Sequence, residues 1–157
     1  MPAGREAFPD FEGFLRIWRE LQEESERAGT VVVVEGDRDR RALRRLGLRG
    51  PIVMIHRGRR LAETAQSLVG DHRRVIVLTD WDTEGGHFAH RLQEFLAAET
   101  VDLDLQFRRR LARILRGELV HVEGLHGWAR RLAERRGESL EIALGPADPE
   151  DGPAPTE

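Results

Sequence analysis

The sequence predicts an α/β fold in three layers, with a four-stranded, mostly parallel sheet between helices. Three observations carry that reading. Short runs of β-branched and aliphatic residues at 31–34, 52–55 and 75–79 lack polar alternation, as strands buried on both faces do. Between them, apolar residues recur at helical spacing, giving the order β-α-β-α-β-α-β with short links. Acids and glycines gather where the runs end, at the carboxyl edge where open parallel sheets bind ligands.

Residues 1–29 are expected to form an N-terminal covering segment. Phe11, Phe14, Leu15, Trp18 and Leu21 mark a helix over 10–28, with Asp10 placed to cap it and Gly29 to stop it. The first strand, 31–34, runs directly into Glu35-Gly36. Asp37 is placed to cap the next helix, which buries Ala42, Leu43 and Leu46 and turns Arg40, Arg41, Arg44 and Arg45 outward. After the second strand comes a basic, glycine-containing loop, His56-Arg57-Gly58-Arg59-Arg60, and a helix near 61–69. The third strand, 75–79, leads to a helix over 83–98 with Phe88, Leu92, Phe95 and Leu96 on one face. Strict alternation in 101–105 reads as a half-exposed edge strand, which completes a core of residues 30–106. A helical extension, 107–144, follows. It holds an amphipathic helix at 107–116 with Arg108, Arg109, Arg113 and Arg116 outward, an extended piece near 119–122, and a helix at 125–136. Residues 145–157 carry four prolines and several acids without periodicity and are expected to be disordered.

Composition narrows the function. The chain has 157 residues, 34% of them charged, a net charge of −3 and no cysteine, so there is neither a disulfide frame nor a thiolate metal site. No apolar run is long enough to span a bilayer, and the first residues lack a signal-peptide core. A cytoplasmic protein without a membrane partner is therefore expected. Every basic side chain is arginine, so each can grip a phosphate with a two-pronged guanidinium.

The chemistry concentrates in Asp80-Trp81-Asp82-Thr83-Glu84-Gly85-Gly86, at the end of the third strand. Asp80 and Asp82 are one residue apart and leave an extended chain on the same side. Carboxylates held so close repel unless one is protonated or a cation lies between them. Mg²⁺ suits such a site, because it takes one or two carboxylates and keeps waters for phosphate oxygens. Should strands one and three be neighbours, Glu35 would meet the aspartates across one groove. The plainer alternative is that Asp82 caps the following helix and Asp80 is solvated. His87 and His90 lack a third ligand at a convincing spacing, and His121 and His126 read as surface or packing residues.

Residues 31–43, Val-Val-Val-Val-Glu-Gly-Asp-Arg-Asp-Arg-Arg-Ala-Leu, match the hhhhEGxxDxxAL pattern of the Toprim domain. Leu78-Thr79-Asp80-Trp81-Asp82-Thr83-Glu84-Gly85 matches its second motif, in the TDxDxEG form of type IA topoisomerases, with Trp81 where the family usually has Pro or Gly. The whole chain resembles the small stand-alone archaeal and bacterial Toprim proteins. This resemblance implies a Rossmann-like Toprim core with Glu35 as general acid or base. It also implies Mg²⁺ (or Mn²⁺) held by Asp80 and Asp82 with Glu84 as a third contributor. Gly36 and Gly85 would admit a phosphate close to backbone, and Arg57, Gly58, Arg59 and Arg60 would form a phosphate-binding loop.

The expected function is Mg²⁺-dependent phosphodiester transfer on nucleic acid, RNA or DNA, by a nuclease or RNA-processing factor. The 157 residues contain no tyrosine, so a topoisomerase's tyrosyl linkage cannot form on them, and they are too few for a separate template-binding domain. Two alternatives stand: a Toprim accessory module that binds nucleic acid without cutting it, and a haloacid-dehalogenase-type phosphatase. The second fits strand–DxDT superficially but needs a later Lys, and the chain has none.

Overall fold

The structure is a computed structural model and describes residues 11–55 and 60–147. Its elements are α1 (Phe11–Ser25), β1 (Thr30–Val34), α2 (Asp37–Arg45), β2 (Ile52–Met54), α3 (Leu61–Asp71) and β3 (Arg74–Val77). They continue with α4 (Thr83–Leu96), β4 (Asp102–Asp104), α5 (Gln106–Leu115), a 3₁₀ turn (Val122–Gly124), α6 (Leu125–Arg135) and α7 (Leu140–Leu144). The strands form one sheet in the order β2-β1-β3-β4, and every pairing is parallel.

The valine run explains the layers. Side chains alternate across a strand, so Val32 and Val34 enter one core while Val31 and Val33 enter the other. The first core joins the sheet to α1, α2, α5, α6 and α7, and the second joins it to α3 and α4. All four valines are fully buried, each worth about 1.5–3 kcal/mol relative to exposure. Because α2 follows β1 on one face and α4 follows β3 on the other, the topological switch point falls between those two strands.

Several local expectations are corrected. Gly36, not Asp37, is the residue preceding α2, and its N–H donates to Asp39 Oδ2 at 3.0 Å. Arg44 does not face solvent: it is buried, and its Nη1 donates to the carbonyls of Leu48 at 2.8 Å and Gly50 at 2.7 Å. Phe95 lies at the margin of the apolar stripe of α4 and is exposed. In β4, Asp102 is exposed but Asp104 is buried in an ion pair with Arg74. Residues 119–122 form no strand. They leave α5 and dock on the end of β3 before the 3₁₀ turn. No helix among the described residues is long and apolar enough to cross a membrane. Asp10, residues 56–59 and residues 148–157 lie outside the described residues, so the expectations for the cap, for Arg57, Gly58 and Arg59, and for most of the tail fall there.

Candidate metal centre

The parallel pairing of β1 with β3 brings their carboxyl ends side by side. Glu35 lies one residue past Val34. Leu78 and Thr79 extend β3 to Asp80, whose N–H donates to Glu35 Oε2 at 2.7 Å. Glu35 and the Asp80-x-Asp82 pair therefore meet at the switch point, where a ligand groove belongs.

Each aspartate is held by one oxygen. Val122 N–H donates to Asp80 Oδ1 at 2.8 Å, and Gly85 N–H donates to Asp82 Oδ1 at 2.7 Å. The second oxygens converge on His121: its Nδ1 lies 3.3 Å from Asp80 Oδ2 and 3.6 Å from Asp82 Oδ2. One ligand atom from each of the three residues lies within 4.8 Å of the others, which is a set that could hold a metal ion. Asp82 thus caps α4 and still presents an oxygen to the cluster, so the two readings of that residue are compatible. The donor chemistry fits a hard or borderline divalent cation.

The loop is fixed from three sides. Thr79 Oγ1 donates to Gly85 O at 2.7 Å, closing the turn into α4. Arg108, half-buried on α5, donates from Nε to Thr79 O at 3.1 Å and from Nη2 to Asp80 O at 2.5 Å. Trp81 donates from Nε1 to Arg108 O at 2.9 Å and from its backbone N–H to Val120 O at 2.7 Å. A Cβ on Gly85 would stand 1.9 Å from Asp80 O, so only glycine allows α4 to start so close to that carbonyl.

The cluster opens into a groove of about 500 Å³. Among the described residues, seven carboxylates line it (Glu35, Asp37, Asp39, Asp80, Asp82, Glu84 and Glu123), together with Arg38 and His121. Ile55 and Phe88 supply an apolar wall. Burial pushes Glu35 up to about 7, reinforced by the charges of Asp80 and Asp82 and opposed by the Asp80 N–H. Burial, with the charge of Asp80, lifts Asp39 to about 6. The hydrogen bond to Asp80 raises His121, although its ring is largely in solvent.

Of the residues singled out in the sequence, Glu35, Gly36, Asp80, Asp82 and Glu84 line this groove. Glu84 lies outside the three-atom cluster. Gly85 is buried beneath Asp80, and Arg60 is exposed at the start of α3. Sequence reasoning missed two residues. His121 was read as surface or packing and Arg108 as solvent-facing. No spacing to the acidic motif marks either one, because both arrive through docking of the extension.

The parallel sheet, the switch-point groove and the acids at two adjacent strand ends define a Rossmann-like domain with a candidate divalent-metal site. Residues 30–114 match the Toprim domain model, more than half of the chain. The chain belongs to the Toprim-domain family, which points to a metal-dependent function directed at nucleic acid. It is similar to small UPF0292 proteins. That of Methanosarcina acetivorans is 33% identical over 122 residues, 78% of this chain and 83% of the relative. That of Archaeoglobus fulgidus is 35% identical over 124 residues, 79% and 95%. Among solved structures, a putative protein from Aquifex aeolicus superimposes with a TM-score of 0.57 at 28% identity, covering 69% of this chain and 94% of that one.

Proposed function

We propose that the chain is a divalent-metal-dependent enzyme of phosphodiester transfer on nucleic acid, a nuclease or RNA-processing factor using Mg²⁺ or Mn²⁺. The observation that carries this reading is the meeting of Glu35 with Asp80 and Asp82 across β1 and β3. A cation held by Asp80 and Asp82 would neutralise a bound phosphate and assist a nucleophile or leaving oxygen there. Glu35 is oriented by the Asp80 N–H and moves a proton at an oxygen of the scissile group, with its affinity for protons raised towards neutrality by burial. The carboxylates that line the groove repel a polyanion, and a cation held among them would offset that repulsion.

The test is cleavage of labelled structured RNA and of single- and double-stranded DNA with Mg²⁺ or Mn²⁺. Glu35→Gln keeps the shape and the acceptor for Asp80 N–H but cannot gain or lose a proton as an acid or base near neutral pH. Cleavage should fall by about 10²- to 10⁴-fold while the metal-dependent rise in melting temperature persists. A Glu35→Gln variant as active as the parent removes Glu35 from the chemistry. A parent that binds nucleic acid with metal and never cuts it leaves the binding-module alternative in its place.

A further inference from the structure

We infer that His121 is a nitrogen ligand of the metal centre, making it an Asp80–Asp82–His121 site that favours Mn²⁺ over Mg²⁺. This inference rests on the metal-dependent reading above and specifies the ion. Ligand atoms at right angles around a divalent ion with bonds of about 2.1 Å lie about 3 Å apart. The 3.3 and 3.6 Å separations of His121 Nδ1 from the two Oδ2 atoms need only a small contraction to reach that value. The oxygens that face Nδ1 are also the ones not committed to a backbone N–H, since Val122 and Gly85 occupy the other oxygen of each aspartate.

The position of the imidazole is built rather than incidental. On one side, Val120 O accepts from Trp81 N–H. On the other, Val122 is buried in the core and its N–H grips Asp80. His121 is therefore the middle residue of a segment tied at both ends to the loop that carries the aspartates. Its side chain is 52% exposed and packs in no core, so burial does not account for its placement.

A nitrogen donor changes selectivity. Mg²⁺ demands a near-ideal octahedron of oxygen ligands and dehydrates reluctantly, whereas Mn²⁺, a transition ion that shares its preference for carboxylates, gives up water for an imidazole nitrogen more readily than Mg²⁺ does. Two carboxylates alone give a site adequate for Mg²⁺. Adding the imidazole raises affinity for Mn²⁺ more than for Mg²⁺. The nitrogen comes from residue 121, beyond the 30–114 match to the Toprim domain, so the extension contributes directly to the centre.

The experiment is Mn²⁺ titration of the full chain followed by electron paramagnetic resonance, with nitrogen hyperfine modulation as the second readout and Mg²⁺ as competitor. The parent should bind Mn²⁺ with the modulation of one imidazole nitrogen. His121→Ala should melt normally without metal, lose the modulation, and bind Mn²⁺ at least about tenfold more weakly, as even outer-shell partners cost 10- to 100-fold. Its Mg²⁺ affinity should change far less. His121→Gln, which keeps bulk without the ring, should behave like His121→Ala. Retention of the parental Mn²⁺-to-Mg²⁺ ratio in His121→Ala, while Asp80→Asn with Asp82→Asn abolishes binding, overturns the role of His121 and leaves the two-carboxylate metal site standing. Nitrogen modulation that survives Asp80→Asn with Asp82→Asn places the histidine-bound ion elsewhere and overturns it too. A parent that binds neither ion overturns both this inference and the proposed function.

Discussion

Gly85 and Gly86 are adjacent in sequence and should respond oppositely to a single added methyl group. At Gly85 the new Cβ would meet Asp80 O at 1.9 Å and its carbonyl carbon at 2.6 Å, where ordinary contact begins near 3.4 Å. The start of α4 must then retreat from Asp80 by about 1.5 Å, and the obstacle is backbone rather than a movable side-chain tip. That retreat breaks the bond from Thr79 Oγ1 to Gly85 O and the bond from Gly85 N–H to Asp82 Oδ1. Overpacking costs about 1–3 kcal/mol. The two hydrogen bonds, one of them to a carboxylate, add about 2–4 kcal/mol. Gly85→Ala should therefore destabilise the chain by about 3–7 kcal/mol and, where it folds, disorient Asp82 and blunt the metal response. At Gly86 the nearest atom to a new Cβ is the Arg108 guanidinium tip at 3.9 Å. Gly86→Ala should be neutral or stabilise by up to about 1 kcal/mol, because alanine suits a helix better than glycine. Urea denaturation gives the stabilities, and melting with added Mn²⁺ gives the metal response. A Gly85→Ala variant that matches Gly86→Ala in both measurements refutes the packing argument.

Two further outcomes follow from the same loop. Arg108→Met removes two donors to the carbonyls of Thr79 and Asp80, and should cost about 2–4 kcal/mol and weaken metal binding, whereas Arg109→Ala at an exposed position should change neither. Without metal, Asp39 near 6 and Glu35 near 7 stand above their ordinary values of 3.8 and 4.5, so these two groups hold more protons in the folded chain than in the unfolded one between about pH 4 and 7. The metal-free protein should lose stability as pH rises through that window. Asp39→Asn should flatten the fall in a pH series of denaturation curves, and an unchanged slope removes Asp39 as its source.

The fold was legible because its strands are extreme. Four valines in a row admit few readings other than a strand buried on both faces, and Glu35 at the end of such a run is conspicuous because ionised carboxylates are rarely buried. The DxD spacing was legible for a similar reason, since alternation fixes which side chains share a face. Arg44 was not, because its burial is set by the turn at 46–50, whose carbonyls its guanidinium caps. Phe95 misled because positions 85, 89, 92 and 96 already complete the buried stripe, leaving position 95 on its rim. His121 and Arg108 depend on how the extension folds back on β3, and helical or strand periodicity carries no signal for contacts across 28 to 42 residues.

The departure at Trp81 ties these observations together. A proline there would have no N–H to give Val120 O, and a glycine would have no ring to give Arg108 O its hydrogen bond. Trp81 has both, and its ring also packs against the core formed by α1, α5 and α6. One side chain between the two aspartates therefore anchors the metal loop to α5 and to the segment that carries His121. In return, Arg108 and Val122 fix Asp80 from the same two elements. The acids alone specify where a cation would bind. The geometry they adopt is set in part by residues of the extension, so α5 and the segment 120–122 hold the candidate site in place.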